Sequence, residues 1–348
     1  MKKIIKKGLR FSMLSAASAL FLAGCSDWTE YESLDLKTPS MNTGLQADYV
    51  RNLKTYKAGT HKVVFASLEN PVAGPTRQAE RLTALPDSLD FISLNNPDNL
   101  AAAYIDEMNA VREKGTKVVY MIDFATFEAE WAEMQKATPS LTEENALAYI
   151  AERTQEMLAL YDKYRYDGVI FAYGGRSMAS MTDEELAEYG GRQTAFFDAV
   201  SAWRETHGDA GFSYKGQAQY LLDANKVILS DCDYIMLETT SASNASALTI
   251  AASAAIGSGD VPSDRFVITV ETTRYDDKDM VYGYFGQVDA AGNVIRSIQG
   301  GAVWMGQPSE FTRAGMLILN AQYDYYDNVP TYFHLREAIS IMNPSPKK

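Results

Sequence analysis

The sequence is poor in the residue types that build disulfide frameworks and metal centres. It contains two cysteines and three histidines in 348 residues. Cys25 lies in the N-terminal segment and Cys232 in an apolar run, where we expect a small buried hydrophobic side chain and no disulfide. The histidines, His61, His207 and His334, show no metal-ligand spacing. The sequence therefore predicts neither a metal site nor another cofactor.

Basic residues are also scarce. Lysine and arginine number 32 against 45 aspartates and glutamates, which gives a formal net charge of -13. Beyond the first ten residues, no block of lysine and arginine interrupts this balance. An acidic chain repels the phosphate backbones of DNA and RNA, so nucleic acid is not an expected partner.

The first 24 residues predict a targeting segment that takes no part in the fold. A basic stretch, residues 2–10, precedes an apolar run at 11–21 that is too short to span a membrane. The tetrapeptide Leu22-Ala23-Gly24-Cys25 then resembles the bacterial lipobox. This resemblance implies that residues 1–24 are a lipoprotein signal peptide and that Cys25 is lipidated. An ordinary secretory signal with a chance cysteine is the alternative.

Acidic residues directly follow that cysteine, namely Asp27, Glu30 and Glu32. They resemble the export tag of surface-exposed lipoproteins of Bacteroidetes. The resemblance implies a protein that is lipid-anchored in the outer membrane and exposed at the cell surface. Residues 25–59 would then form a polar tether with one short helix at 48–57.

From residue 60 to residue 348, strand-like and helix-like segments alternate in the manner of βα units. This span of roughly 290 residues suits a single domain of the α/β class, a (β/α)8 TIM barrel. The predicted strands cover residues 62–68, 91–94, 117–122, 169–173, 212–214, 233–237, 265–270 and 301–305. The predicted helices cover 99–114, 192–206, 246–256 and 332–342, a long one runs from a capping box at Ser140 to about residue 164, and a shorter one begins after Thr182. An irregular insert, 272–299, falls on the face where barrels build their sites.

The fourth predicted strand has the spacing of a catalytic signature without its acids. The four positions of a D-x-x-D-x-D-x-E pattern are occupied by Asp167, Ile170, Ala172 and Gly174. The segment resembles the fourth strand of family 18 glycoside hydrolases, which are chitinases and endo-β-N-acetylglucosaminidases. Other segments resemble the lipoprotein branch of that family in Bacteroidetes polysaccharide-utilisation loci; they are 49–57, 85–88, 232–237, 300–304 and 333–338. The alternative is that Ile170 and Ala172 only fill an apolar barrel interior.

This resemblance implies that the chemistry of the family is absent. In active members the last acid of the signature protonates the leaving oxygen, and the acid two positions earlier orients the N-acetyl group that acts as the nucleophile. Gly174 has no proton to donate, and Ala172 can neither orient nor stabilise that group. Because losing one general acid costs about 100- to 10,000-fold in rate, we expect an inactive pseudo-glycosidase.

One aromatic residue is predicted to hold the sugar. Under the resemblance, Trp304 corresponds to the eighth-strand tryptophan that floors the N-acetylglucosamine subsite. A flat indole stacks well on the C–H groups of a sugar ring. In the alternative role, Trp304 is a core aromatic, and its substitution by alanine would reduce stability without changing affinity.

Five further residues are predicted to line the glycan site. Tyr173 ends the fourth strand, and Glu238 and Glu271 directly follow the sixth and seventh strands, whose ends point to the barrel mouth. Tyr284 in the insert and Asp123 after the third strand complete the predicted rim. The alternative for each glutamate is a structural ion pair with an arginine.

These features predict a non-catalytic glycan-binding lipoprotein. It would capture N-acetylglucosamine-containing glycans, of the N-glycan or chitooligosaccharide type, for an outer-membrane importer complex. A second hypothesis is an active glycosidase with relocated acids, Glu238 and Glu271, since carboxyl groups about 5–9.5 Å apart suit glycoside hydrolysis. A third is a structural partner of the importer that has no sugar site.

Overall fold

The computed structural model describes residues 43–274, 281–327 and 329–344. The predicted signal peptide, the lipidation site Cys25 and most of the tether lie outside these ranges. The chain divides into two units, residues 1–48 and 49–348, and the barrel belongs to the second. None of the helices in the described ranges has both the length and the apolar character that crossing a membrane requires.

Within the described residues, eight parallel strands close into a barrel, and two further strands form an antiparallel hairpin. The barrel strands are β1 (Val63–Leu68), β2 (Phe91–Leu94), β3 (Lys117–Asp123), β4 (Gly168–Tyr173), β5 (Gly211–Gly216), β6 (Tyr234–Leu237), β7 (Phe266–Glu271) and β10 (Arg313–Leu319). The hairpin strands are β8 (Tyr284–Val288) and β9 (Val294–Arg296). The strands follow one another around the ring, and β10 closes it by pairing with β1. The predicted single (β/α)8 barrel is confirmed.

Helices connect the strands on the outside of the barrel, as parallel pairing requires. Helix α1 (Thr43–Ala58) precedes the first strand. The helices between strands are α2 (Ala102–Glu113), α3 (Phe124–Ala137), α4 (Glu143–Leu158), α5 (Leu160–Tyr164), α6 (Asp183–Thr206), α7 (Asp223–Lys226), α8 (Ala245–Gly257) and α9 (Ser297–Met305), and α10 (Phe333–Met342) follows the last strand. The helix predicted to begin at a Ser140 cap begins after Thr142 instead. The predicted start of α6 is confirmed, because Thr182 Oγ1 accepts a hydrogen bond from the Glu185 amide. This helix continues unbroken through the segment for which two helices were predicted.

The eighth predicted strand, 301–305, is wrong, since these residues form the end of helix α9. The eighth barrel strand is β10, which begins at Arg313, eight residues after Met305. A short apolar run does not distinguish a buried helix from a strand. In the structure, the buried residues of this segment begin at Ser297 and Ile298 and belong to one helix. The predicted strand, 301–305, covers only the end of that buried segment. The insert predicted to be irregular contains the β8–β9 hairpin and the start of α9.

Alternate side chains of the strands fill the barrel. Near the N-terminal end, the rings of Phe65 and Phe91 stack with centroids 4.0 Å apart, and Tyr234 meets both edge-on. Ile170 belongs to the same interior cluster and is fully buried. Because side chains alternate along β4, Ala172 also faces the inside, one step closer to the C-terminal end of the strand.

Asp167, the one acid retained in the signature, has a structural role. Its Oδ2 accepts hydrogen bonds from the Val118 amide at 2.7 Å and from Arg112 Nε at 2.8 Å. Asp90 and Asp233 also precede a strand, and each accepts a bond from a backbone amide of the preceding strand. Such charge-assisted bonds tie neighbouring strands together at the N-terminal end of the barrel.

Trp304 lies at that same end, and its predicted position on the eighth strand is wrong. Its side chain is 1% exposed, and its Nε1 donates to Thr249 Oγ1 at 3.0 Å. The guanidinium of Arg313 lies 3.8 Å from the ring centroid. Since Arg313 begins β10 and helix α9 runs back to that point, the indole is on the far side from the C-terminal ends of the strands.

Trp304→Ala is expected to lower the free energy of unfolding by about 3–5 kcal/mol, because removing a fully buried aromatic side chain leaves a cavity. Trp304→Phe retains an aromatic ring and should lose less. Urea denaturation of both variants measures the difference. Unchanged stability of Trp304→Ala, together with weaker binding of a glycan, would contradict the core position.

Candidate functional site

The C-terminal ends of the barrel strands form a mouth, with charged and amide side chains around it. At this level Ala172 of β4 lies in register between Asp123 of β3 and Lys215 of β5. Ala172 is 4% exposed, so its methyl group closes the barrel interior at this point. The position that carries the orienting acid in the signature is therefore occupied by a group without hydrogen-bonding capacity.

Lys215 directs its charge to the next strand. Its Nζ donates to Glu238 Oε2, and the Thr240 hydroxyl donates to Glu238 Oε1 at 2.5 Å. Burial acts to raise the pKa of Glu238, but the Lys215 charge and the hydrogen bonds from Lys215 and Thr240 outweigh it, and this pKa lies below its ordinary value. Glu238 is therefore an ionised, ion-paired carboxylate at neutral pH. Its partner is a lysine, and not the arginine of the alternative prediction.

Glu271 is hydrogen-bonded to Asn320, the residue that directly follows β10. Its Oε1 accepts a hydrogen bond from Asn320 Nδ2 at 2.8 Å, and the backbone N–H of Asn320 donates to Ser67 Oγ at 3.0 Å. The strand register sets Glu238 level with Thr269, so Glu271 lies two residues, roughly 7 Å, farther along the strands. The two glutamates thus occupy neighbouring strands with separate partners.

A cavity of about 560 Å³ opens on the β1–β3 side of the mouth. Its volume lies within the usual range of small-ligand sites, roughly 300–1,000 Å³. The polar residues that line it are Ser67, Asn95, Asn96, Asp98, Asp123, Thr126, Glu130, Arg153 and Asn320, and the apolar ones include Leu94, Pro97, Phe127, Met157 and Leu319. Such a lining offers several donors and acceptors next to apolar surface.

Asp123 takes part in both the cavity and the fold. Its carboxylate lines the cavity, and its Oδ1 also accepts a hydrogen bond from the Ala125 amide at 3.0 Å, which caps helix α3. An aspartate at this position satisfies one of the free amides of the helix start. The cap fixes the orientation of the carboxylate at the mouth.

Two glycines follow β4, and the structure places different demands on them. Gly175 has a φ of +63°, and a Cβ there would lie 2.9 Å from Tyr220 Cβ and 3.0 Å from the Tyr189 hydroxyl. At Gly174, an added Cβ would meet no atom within 4 Å. Glycine is therefore required at position 175, whereas position 174, which carries the catalytic acid in the signature, has space for a side chain.

Tyr173 points into the helical layer. It is 1% exposed, and its ring packs on Phe124 and Phe197 with centroid distances of 4.8 and 5.7 Å. Burial raises the pKa of its hydroxyl above the ordinary value. Tyr173 borders a second cavity of about 590 Å³ beside the glycine turn, which Glu128 and Arg176 also line.

The structure brings together three of the predicted site residues and separates the other three. The three at the mouth are the carboxylates Asp123, Glu238 and Glu271. Tyr284 lies in the hairpin, where its hydroxyl accepts a hydrogen bond from Arg296 Nη1 at 3.3 Å. Tyr173 and Trp304 are buried in the helical layer.

Lys215 and Asn320 are among the polar residues of the mouth that were not predicted from the sequence. Alternation predicts an inward Lys215, because Phe212 and Tyr214 on either side of Ser213 are the apolar, outward positions of β5. Asn320 would have been found by assigning Arg313–Leu319 as the eighth strand, since it follows that strand directly.

Three residues near the C-terminal end of the described chain have ligand atoms within 4.8 Å of one another: Asp324, Asp327 and His334. Protein groups already use these atoms. The Asp324 carboxylate accepts from the Leu335 amide at 2.8 Å, and Asp327 pairs with Arg296 at 3.2 Å and with His334 at 2.9 Å. The spacing of the histidines did not predict this cluster, and its contacts give it a structural role.

Comparisons with known proteins agree with this architecture. A family model described as "glycoside hydrolase family 18, BT1044-like" matches residues 29–341. A search of the curated proteins found no match. A solved structure of BT1044, a selenomethionine form with one glutamate changed to glutamine, has a TM-score of 0.60 and 18% identity, and the alignment covers 86% of this chain and 93% of that chain.

Two solved structures of a fungal enzyme are also similar. The endo-β-N-acetylglucosaminidase from Cordyceps militaris has a TM-score of 0.57 and 15% identity, over 85% of this chain and 95% of that chain. A variant of it, with an aspartate and a glutamate two positions apart changed to amides, is in complex with fucosyl-N-acetylglucosamine-Asn; it has a TM-score of 0.56 and 15% identity, over 85% and 95% of the two chains. At these identities the likeness is one of fold.

Gly174→Glu is expected to change the free energy of unfolding by no more than about 0.5 kcal/mol, because the added side chain has open space. Gly175→Ala is the matched control and should cost about 1–3 kcal/mol, since it combines a left-handed backbone with close contacts. Urea denaturation compares the two. Equal destabilisation would show that the turn requires glycine at both positions.

Proposed function

Because the chain belongs to glycoside hydrolase family 18, in its BT1044-like branch, we propose that it binds glycans without cleaving them. The observation that carries this proposal is the absence of acidic residues at the C-terminal end of β4. Positions 172 and 174 carry alanine and glycine, and the backbone around Gly174 leaves space for an acid. The acids are thus absent from a site that has kept room for one of them.

The partners of the remaining carboxylates support binding over cleavage. A relocated general acid must be protonated near neutral pH, which requires a raised pKa. Glu238 has a lowered pKa because Lys215 pairs with it, and Glu271 is bound to the Asn320 amide. Glu238 is therefore not a proton donor for the hypothesis of relocated acids.

The mouth supports a sugar ligand. Carboxylate and amide groups such as those of Asp123 and Asn95 can exchange hydrogen bonds with hydroxyl groups, and apolar side chains such as Leu319 can contact the faces of sugar rings. The fungal relative holds fucosyl-N-acetylglucosamine-Asn with an aspartate and a glutamate changed to amides. The spacing of those two substitutions equals that of Ala172 and Gly174. We therefore propose that this chain binds glycans that contain N-acetylglucosamine.

The sequence of the N-terminal segment, outside the described residues, supports a cellular location for this binding activity. A lipid on Cys25 would anchor the protein in the outer membrane, and the acidic residues that follow it would direct it to the cell surface. There it would present glycans to an outer-membrane importer complex. Glycan capture without hydrolysis suits that position, because the ligand must reach the importer intact.

Calorimetry with chitooligosaccharides and N-glycans tests the proposed binding. We expect saturable binding to at least one of them, weakened in Asn95→Ala by about 2- to 10-fold, the range for one lost hydrogen bond. Asn109→Ala is the matched control, because Asn109 is an exposed asparagine on helix α2, away from the mouth. Absence of binding to every N-acetylglucosamine-containing glycan would contradict the proposal and favour a structural partner of the importer.

Cys25→Ala is expected to release the protein from the membrane fraction, because the mutation removes the acceptor of the lipid. Detergent phase partitioning of the wild type and the variant in the native host measures this. Cys232→Ala is the control, since Cys232 is buried in the barrel. Retention of Cys25→Ala in the membrane fraction would contradict lipid anchoring.

A further inference from the structure

Helix α3 separates two cavities at the C-terminal ends of the barrel strands. The cavity on the β1–β3 side is lined from this helix by Thr126, Phe127 and Glu130, and the second cavity, of about 590 Å³, by Phe124, Ala125 and Glu128. The second volume also lies within the usual range of small-ligand sites. Gly174 borders the second cavity, which therefore opens beside the β4 position that has room for a side chain.

Glu128 offers this cavity a carboxylate that accepts no hydrogen bond from the described residues. Its side chain is 47% exposed, and it forms an ion pair with Arg192 at 3.8 Å. Arg192 is already engaged, because its guanidinium pairs with Glu143 at 2.6 Å and with Glu188 at 2.8 Å. Partial burial raises the pKa of Glu128, and the charges of Arg192 and Arg176 oppose this effect only in part. The carboxylate therefore has accepting oxygens that the fold does not use.

Arg176 offers the opposite charge. It is exposed and lines the same cavity. Its backbone amide donates to the Tyr189 hydroxyl at 3.3 Å, whereas its guanidinium forms neither an ion pair nor a hydrogen bond with the part of the chain that the structure describes. Its charge acts to lower the pKa of Glu128 and of Glu185, so the guanidinium lies near these two carboxylates. A cation and an anion thus border one space without pairing directly.

Aromatic rings complete the cavity. The ring of Tyr189 is held there because its hydroxyl donates to the Tyr220 carbonyl at 2.9 Å and accepts from the Arg176 amide. The buried rings of Phe124 and Tyr173 also border the space, and their centroids lie 4.8 Å apart. The cavity therefore combines a free acceptor, a free donor and fixed apolar surface.

We propose that this cavity is a second sugar subsite, which binds the acetamido group of an N-acetylated hexose between Glu128 and Arg176. The inference rests on the proposed glycan binding and adds a contact to it. The N–H of an acetamido group can donate to the carboxylate, its carbonyl oxygen can accept from the guanidinium, and its methyl group can contact the ring of Tyr189. The sugar chain reaches the subsite over Gly174, where no side chain obstructs it.

The charges of the cavity favour an amide over a charged ligand. An ammonium group would be attracted by Glu128 and repelled by Arg176, and a carboxylate would meet the reverse. A neutral acetamido group uses both side chains and brings no charge of its own. A hydroxyl group also donates and accepts, but it has no methyl group to place against the aromatic rings.

Calorimetry of the full chain with an N-acetylglucosamine hexamer tests this subsite. We expect Glu128→Ala and Arg176→Ala each to weaken binding by about 5- to 20-fold, because each removes a hydrogen bond to a charged group. Glu128→Gln keeps an accepting oxygen and should lose less. Glu133→Ala is the matched control and should retain the wild-type affinity, since Glu133 is an exposed glutamate of the same helix that pairs with Lys136.

Hexamers of glucose and of glucosamine identify the group that is bound. The glucose hexamer carries a hydroxyl group in place of each acetamido group, so it should bind more weakly than the N-acetylated hexamer and should not be weakened further by Glu128→Ala or Arg176→Ala. Equal weakening of both hexamers in these variants would overturn the acetamido assignment. Tighter binding of the glucosamine hexamer by the wild type would overturn it as well, in favour of an ammonium ligand.

Failure of this subsite can be told apart from failure of the proposed function. Wild-type affinity for the N-acetylated hexamer in both Glu128→Ala and Arg176→Ala would overturn the subsite and leave glycan binding in place. A wild-type protein that does not bind this hexamer would also overturn the subsite. The proposed function fails only if N-glycans are not bound either.

Discussion

The closed ring of eight parallel strands is the constraint on which the rest of the structure depends. Closure fixes the register of each strand, and alternation then decides which side chains reach the mouth. Asp123, Ala172 and Lys215 stand side by side for this reason. The chemistry of the site is therefore set by single residues at the strand ends, and these can change without altering the ring.

The β4 segment shows which of its residues the fold itself uses. Asp167 accepts hydrogen bonds from the Val118 amide and from Arg112, and it thereby ties β4 to β3 and to helix α2. Ile170 packs in the interior cluster. Ala172 closes the barrel interior with its methyl group, whereas Gly174 holds a position with open space for a side chain. Asp167 and Ile170 therefore serve the stability of the barrel.

Much of the fold could be predicted from the sequence, because seven of the strands are apolar runs between helix signals. The prediction of the eighth strand failed because residues 301–305 and 313–319 are both short and mainly apolar, and periodicity does not distinguish a helix from a strand in such runs. That error displaced Trp304 to the wrong end of the barrel and hid Asn320. The ion pair of Lys215 with Glu238 could not be predicted either, since it depends on the register between two strands.

Mass spectrometry of an N-glycan incubated for a long time with a stoichiometric amount of the wild-type protein is the most direct test of binding without cleavage. The account predicts that the glycan is recovered at its original mass. A shortened glycan produced by the wild type, and not by Glu238→Gln or Glu271→Gln, would contradict it and identify a relocated catalytic acid.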